Sequence, residues 1–325
     1  MTQHWQAWLA GIPADEQKNL FNVLKSHHEP NNGSYPKIHH NPNDVLVTRT
    51  PAEDLLVMDP PPYVDIFRLH EHYEKTSFET NLLLKGPKGD GKSLSIYAFA
   101  AKKGVPLVVQ ECSEGTKETH LMGSQTLLGD RTVFVLGSIP TAIDVANEAG
   151  ACILLFEELN ALTPQVQKML NAIGDFRKAC SMPAIKKTFS LEKGKKIWLV
   201  GTMNPSVYGG TYDLNEDLKS RFDELELTYP EAGQEKQIIL ANCGNAVPDD
   251  VVDKVIRLGR ESRQGELSYM LSTRDLVRLV HSIPKTGLQV ALQLIACKFE
   301  GEDRENAIKR IGSIFGSVGV KKFWS

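Results

Sequence analysis

The stretch Gly86-Pro87-Lys88-Gly89-Asp90-Gly91-Lys92-Ser93 constrains this chain more than any other. It fits the phosphate-binding pattern G-x-x-x-x-G-K-[ST]. Ahead of it, residues 81–85 form a short apolar run that reads as a buried strand. Behind it, residues 94–101 can continue as a helix. Strand, glycine loop and helix in that order place successive backbone N–H groups around an anion, with the positive helix end behind them. Three glycines in six positions let the backbone close on a phosphate without Cβ clashes. The expected cradle is Gly86, Pro87, Lys88, Gly89, Asp90, Gly91, Lys92, Ser93 and Leu94. In it Lys92 reaches the β- and γ-phosphates, and Ser93 offers its hydroxyl to Mg²⁺. ATP with Mg²⁺ is the expected ligand pair.

A chain of 325 residues is long for one core, so two or more domains are expected. A net charge of -3 argues against a protein coated in positive charge for nucleic acid. Cys112, Cys152, Cys180, Cys243 and Cys297 are widely spaced, odd in number and free of any C-x-x-C, which suits reduced, mostly buried thiols. No apolar stretch approaches a membrane span and no signal peptide opens the chain, so a cytoplasmic protein without membrane contact is expected.

Residues 1–58 read as an N-terminal extension with a small helical piece. Within it 29–43 is loop, and His27, His28, His39 and His40 lack ligand partners at metal-site spacing. Asp59-Pro60-Pro61-Pro62 reads as a stiff joint into a nucleotide-binding domain over 59–232. There, apolar runs at 81–85, 105–109, 152–156, 197–200 and 225–227 alternate with helical segments. That pattern predicts an α/β fold, with a parallel sheet covered on both faces. Thr163-Pro164 begins a helix whose core face is Val166, Met169, Leu170 and Ile173. From 233 to 325 the strands stop. Helices at 234–242, 250–262, 274–283, 286–298 and 304–315 predict an all-helical second domain, with Ser272-Thr273 capping the third.

Hydrolysis of ATP needs an acid near Mg²⁺, a base for water and positive charge against the transition state. Ile153-Leu154-Leu155-Phe156-Glu157-Glu158 has the form of a strand delivering two acids at its C-terminal end, the edge where open α/β sheets bind ligands. A pair of solvated acids starting a loop is the plainer alternative. The fourth strand ends in Gly201-Thr202-Met203-Asn204, which places an amide where it can orient water. Arg221 precedes an aromatic at the entry to the fifth strand, and Arg274 lies in the first turn of a later helix. Each arginine taken alone is more often a surface ion pair.

Taken in order, these positions resemble the AAA+ ATPases, in the branch containing MoxR, the Rubisco-activating CbbQ proteins, the cobaltochelatase ATPase subunit and the dynein and midasin rings. The resemblance covers residues from about 62 to 320. Residues 86–93 are similar to Walker A and 156–158 to Walker B; Asn204 matches sensor 1, Arg221 the arginine finger and Arg274 sensor 2. Residues 134–140 look like the segment before the Walker B strand in MoxR-type proteins. Leu121-Met122-Gly123 and the turn at 128–131 resemble that branch's insert. The resemblance implies a five-stranded P-loop sheet of order 5-1-4-3-2, a C-terminal helical lid and a homo-oligomeric ring, usually a hexamer. It assigns Glu157 to the Mg²⁺ shell, Glu158 to activating water and Asn204 to positioning it. Arg274 would read the γ-phosphate from the lid, and Arg221 from the neighbouring subunit. Most of the family carries Asp where this chain has Glu157, so hydrolysis with altered Mg²⁺ dependence, or slow hydrolysis, is implied.

The function expected is a MoxR-like chaperone that couples ATP hydrolysis to remodelling a client or adaptor protein, with specificity in 1–58 and the inserts. Residues 185–196 read as a hairpin with a Lys-Gly turn, and five lysines there offer contact with nucleic acid phosphates or an acidic partner. A solvated hairpin is the plainer alternative. A nucleic-acid motor and a slowly hydrolysing, nucleotide-dependent scaffold are the rival readings.

Overall fold

The computed structural model describes residues 38–39, 46–47, 81–128, 131–175, 177–204, 212–244, 246–265 and 269–316. The expected joint at 59–62, and all of the 1–58 extension but two short strands, lie outside these residues. The described residues fall into two compact units. One holds the two short strands, 81–84 and 100–225; the other holds 85–99 and 226–316.

The first unit opens with β1 (Ile38–His39), β2 (Leu46–Val47) and β3 (Asn81–Lys85). The loop and α1 (Lys92–Lys103) follow β3 in sequence and lead to β4 (Leu107–Glu111). Next come α2 (Glu118–Met122), a hairpin of β5 (Gly123–Leu128) and β6 (Arg131–Leu136), α3 (Ser138–Ala149) and β7 (Ala151–Glu157). Two short helical turns, α4 (Pro164–Gln167) and α5 (Asn171–Gly174), precede a second hairpin, β8 (Ala179–Met182) with β9 (Lys187–Ser190). The unit closes with β10 (Lys196–Met203), α6 (Glu216–Lys219) and β11 (Phe222–Glu226).

The main sheet runs β11-β3-β10-β7-β4-β2, which over its five long strands is the order 5-1-4-3-2. β4, β7 and β10 pair in parallel, and β2 adds an antiparallel edge to β4. Leu83, Leu154 and Leu199 are fully buried, as are their strand neighbours Leu82, Leu84, Leu155 and Val200. Covering both faces is what turns these strands into unbroken apolar runs.

Four local expectations are corrected. The strand expected at 105–109 is Leu107–Glu111, because Pro106 has no N–H for the ladder and only its carbonyl is used, by Ile153. The strand expected at 225–227 is Phe222–Glu226. As the edge of the sheet it buries Phe222 and leaves Asp223, Glu224 and Glu226 exposed, so its sequence looks polar. The helix expected from Pro164 breaks into α4 and α5 around a tight 3₁₀ turn at Lys168–Leu170. Buried Gln167 ties that turn down: its amide donates to the carbonyls of Leu162 and Asp213 and accepts from the N–H of Asn215.

The hairpin expected at 185–196 is displaced. Its arms are β8 and β9, joined through Pro183–Ile185 and a left-handed Lys186, with Cys180 and Phe189 paired on the buried side. Lys193-Gly194 makes a separate turn before β10. The lysines therefore divide between two turns.

The second unit is helical beyond the loop: α7 (Ala232–Cys243), α8 (Asp249–Ser262), α9 (Thr273–Thr286), α10 (Leu288–Ala296) and α11 (Gly301–Phe315). They share one core, including Ile239, Val252, Val255, Leu276, Leu292 and Ile311. Ser272 caps α9 as the sequence predicts. Its hydroxyl accepts from the Asp275 N–H, and the Asp275 carboxylate accepts from the Ser272 N–H.

Candidate functional site

The loop after β3 has the backbone its glycines permit. Gly89 and Gly91 have φ of 76° and 98°, values that a residue with a Cβ avoids. A side chain at Gly89 would also lie 2.7 Å from Ser272, the cap of α9. The loop runs straight into the twelve-residue α1, so the positive end of the helix dipole lies at the loop. Lys92 is buried, and its ammonium donates to the carbonyls of Gly86 and Pro87, at 2.8 and 2.7 Å, and to Asp90 Oδ1 at 3.1 Å. Ser93 stands beside it in the first turn of α1, and Leu94 is exposed. Cation, hydroxyl and glycine cradle fit a nucleotide phosphate with its metal.

In the first unit β7 ends at Glu157, whose carbonyl accepts the N–H of Cys112. Glu158 then takes a left-handed conformation, φ 55° and ψ 47°, uncommon for a residue with a side chain. Two neighbours from the end of β10 meet it. The Thr202 hydroxyl accepts the Glu158 N–H at 3.2 Å, and the Asn204 amide lies 3.5 Å from Glu158 Oε1. Asn204 is itself held through its carbonyl, which accepts from the buried Asn160 amide at 3.0 Å. Buried Cys112 has its thiol pKa raised by burial, and further by the negative charges of Glu157 and Glu158. The structure thus brings Glu158 and Asn204 together at the ends of two adjacent strands.

Arg221 lies between α6 and β11. Its guanidinium donates to the Asp217 carbonyl, and its Nε is buried without a hydrogen-bond partner among the described residues. Its backbone is held from β3: the Asn81 amide donates to the carbonyls of Arg221 and Gly174, both at 2.8 Å. Asn81 in turn accepts from Lys178 at 2.7 Å. Burial pulls the Lys178 pKa down to about 8, with Asp175 working in the opposite direction.

Arg274, exposed in the first turn of α9, stands close to the loop: a Cβ at Gly89 would lie 3.6 Å from that of Arg274. A buried network sets this helix end. Arg263 makes a bidentate pair with the fully buried Glu235, at 2.7 and 3.1 Å, and Glu235 also accepts from the Thr273 hydroxyl at 2.7 Å. The Arg263 guanidinium sits 3.9 Å over the ring of Tyr229, and the Tyr229 hydroxyl donates to the Lys88 carbonyl in the loop. Burial works against the Asp275 carboxylate, yet hydrogen bonds from Lys298 and Ser272 outweigh it and hold its pKa below the ordinary value.

Sequence reasoning did not find Thr202, Tyr229, Glu235 or Arg263. Thr202 lies two residues before Asn204, but nothing local marks a hydroxyl that serves a backbone 44 residues away. Pairs such as Glu235 and Arg263, 28 residues apart, show no spacing signal.

Residues 81–222 match the AAA domain of the dynein-related subfamily. An uncharacterized protein of Staphylococcus haemolyticus is 26% identical over 240 residues, covering 70% of this chain and 88% of its own length. Protein NorQ of Paracoccus denitrificans is 26% identical over 232 residues, covering 70% of this chain and 82% of NorQ. Among solved structures, NtrX of Brucella abortus in complex with ADP aligns with 68% of this chain and 49% of its own, at 14% identity and a TM-score of 0.45. A mutant RuvB of Thermotoga maritima aligns with 86% of this chain and 74% of its own, at the same identity and TM-score.

Proposed function

From the match of residues 81–222 to the AAA domain we propose that this chain is an AAA+ ATPase, a ring-forming machine of the MoxR type that uses ATP to remodel a partner protein. The observation that carries the hydrolytic part is the setting of Glu158. Thr202 pins its backbone in a left-handed turn, so its carboxylate is presented beside the Asn204 amide. A carboxylate and an amide so placed can take a proton from water and hold that water in line. Lys92 supplies the cation for the β- and γ-phosphates. Ser93 and Glu157 are the residues that would hold Mg²⁺, which neutralises charge on the phosphates when bound. Arg274, beside the loop, reads the γ-phosphate, and Arg221 serves the site of the next subunit.

Residues 1–58 and the β5–β6 hairpin, where Leu127 is 70% exposed, are where a partner is engaged. No helix among the described residues is long and apolar enough to cross a membrane. The nucleic-acid reading is weakened by the division of its lysines between two turns.

Ring assembly is tested by light scattering at micromolar protein with and without ATP. Nucleotide held at a subunit boundary stabilises the assembly by mass action, so mass should rise with ATP. One monomer mass under both conditions would contradict the ring.

A further inference from the structure

Asp90 is an unexpected residue in a phosphate loop, because it sets a carboxylate where an anionic ligand must arrive. Its side chain is buried, 1% exposed, and points inward. Oδ1 accepts from the Lys92 backbone N–H and from the Lys92 ammonium, both at 3.1 Å. These are a helix N-terminal amide and the loop's cation, the donor types that a nucleotide phosphate uses. Oδ2 is buried and has no hydrogen-bond partner among the described residues. It fills the space left by the missing side chain of Gly86, where a Cβ would come within 2.2 Å of it.

We infer that Asp90 is a resident anion of the loop: it holds the phosphate donors while the site is empty and must be displaced when nucleotide binds. Three structural features support the reading. A buried carboxylate needs a counter-charge, and the only cation that reaches Asp90 among the described residues is Lys92. Lys92 is turned back onto Gly86, Pro87 and Asp90, so its ammonium is engaged within its own loop. Burial raises the Asp90 pKa above the ordinary carboxylate value and Lys92 only partly offsets it, which marks the carboxylate as poorly solvated and dependent on that one partner.

Nucleotide binding then exchanges one anion for another at Lys92. The carboxylate must leave, or stay as a like charge beside the phosphates. Either way Asp90 weakens nucleotide binding while it steadies the empty loop. Asp90 is thereby a determinant of affinity for the reaction the loop serves, and it keeps the occupied and empty loops closer in free energy.

The test uses the full chain with Asp90→Asn, which keeps shape and removes charge, and Asp90→Ser as a second variant should the first fail to fold. A fluorescent ATP analogue is titrated with and without Mg²⁺, and melting is followed without nucleotide. The expected result is tighter binding, by about tenfold or more, the scale of one partly buried charge interaction removed. Melting of the empty protein checks that each variant is folded. Unchanged or weaker binding by a variant that melts like the parent would overturn the inference. So would weaker binding confined to Mg²⁺-containing solutions, which would make Asp90 a metal ligand. Lys92→Ala that still binds the analogue would count against the loop as the nucleotide site, a separate failure.

Discussion

Glu158 depends on neighbours that act through its backbone as much as through its carboxylate. Its left-handed turn is held by the Thr202 hydroxyl, and its side chain faces Asn204. Glu158→Gln should bind ATP normally but lose phosphate release by about 10²–10⁴-fold, the range for removing a general base. Thr202→Val keeps the shape and removes the acceptor. It should cost about 1–2 kcal/mol of stability for the stranded N–H and lower turnover with little change in ATP affinity. Full turnover by the Val variant would show that the hydroxyl does not position Glu158. The acid pair was legible because an apolar strand ending in Glu-Glu is a local pattern. Thr202 was not, because its partner lies across the sheet, where only the fold brings them together.

At the scale of elements, each unit has a buried charge that its helices depend on. In the helical unit, Glu235 and Arg263 bridge α7 to the end of α8, and Thr273 ties the start of α9 to the same carboxylate. Glu235→Ala would leave the Arg263 charge buried and poorly paired, at a cost of about 3–5 kcal/mol. Urea unfolding followed by circular dichroism should register it, and loss below about 1 kcal/mol would count against a structural role. In the sheet unit, Asp144 of α3 is held by burial at a pKa of about 6, against a usual 3.8, although Lys187 of the β8–β9 hairpin pulls it down. The folded state then binds more protons than the unfolded chain between those two values. Stability therefore falls as pH rises from about 4 to about 6 and levels off above. Asp144→Asn should be the more stable protein at pH 7, by about 1–3 kcal/mol, and lose that advantage near pH 4. An advantage that is the same at both pH values would contradict this setting of Asp144. Element positions were legible wherever burial on both faces wrote a continuous apolar run. The edge strand β11 was not, because most of its residues are exposed and polar, and the broken helix at 164–174 and the displaced hairpin were not, since tertiary contacts of Gln167, Cys180 and Phe189 decide them.

For the whole molecule, the fold class was legible from strand order and glycine loop together, while the shared site proposed here depends on a second copy of the chain. Arg221 is held at the start of β11 by Asn81, which is itself anchored by Lys178. In the proposed ring it acts on a neighbour's nucleotide and supplies charge that its own pocket does not use. Arg221→Ala should then bind ATP yet be nearly inactive, because an arginine finger contributes about 10³–10⁵ in rate. Glu158→Gln should be inactive for the separate reason that water is not activated. The most direct test is phosphate release from an equimolar mixture of these two variants, in assemblies shown by mass to contain both. Some interfaces then pair the intact Glu158 of one subunit with the intact Arg221 of the other, and hydrolysis should reappear from two inactive proteins. Mixed assemblies that stay as inactive as their parents would contradict a site shared between subunits.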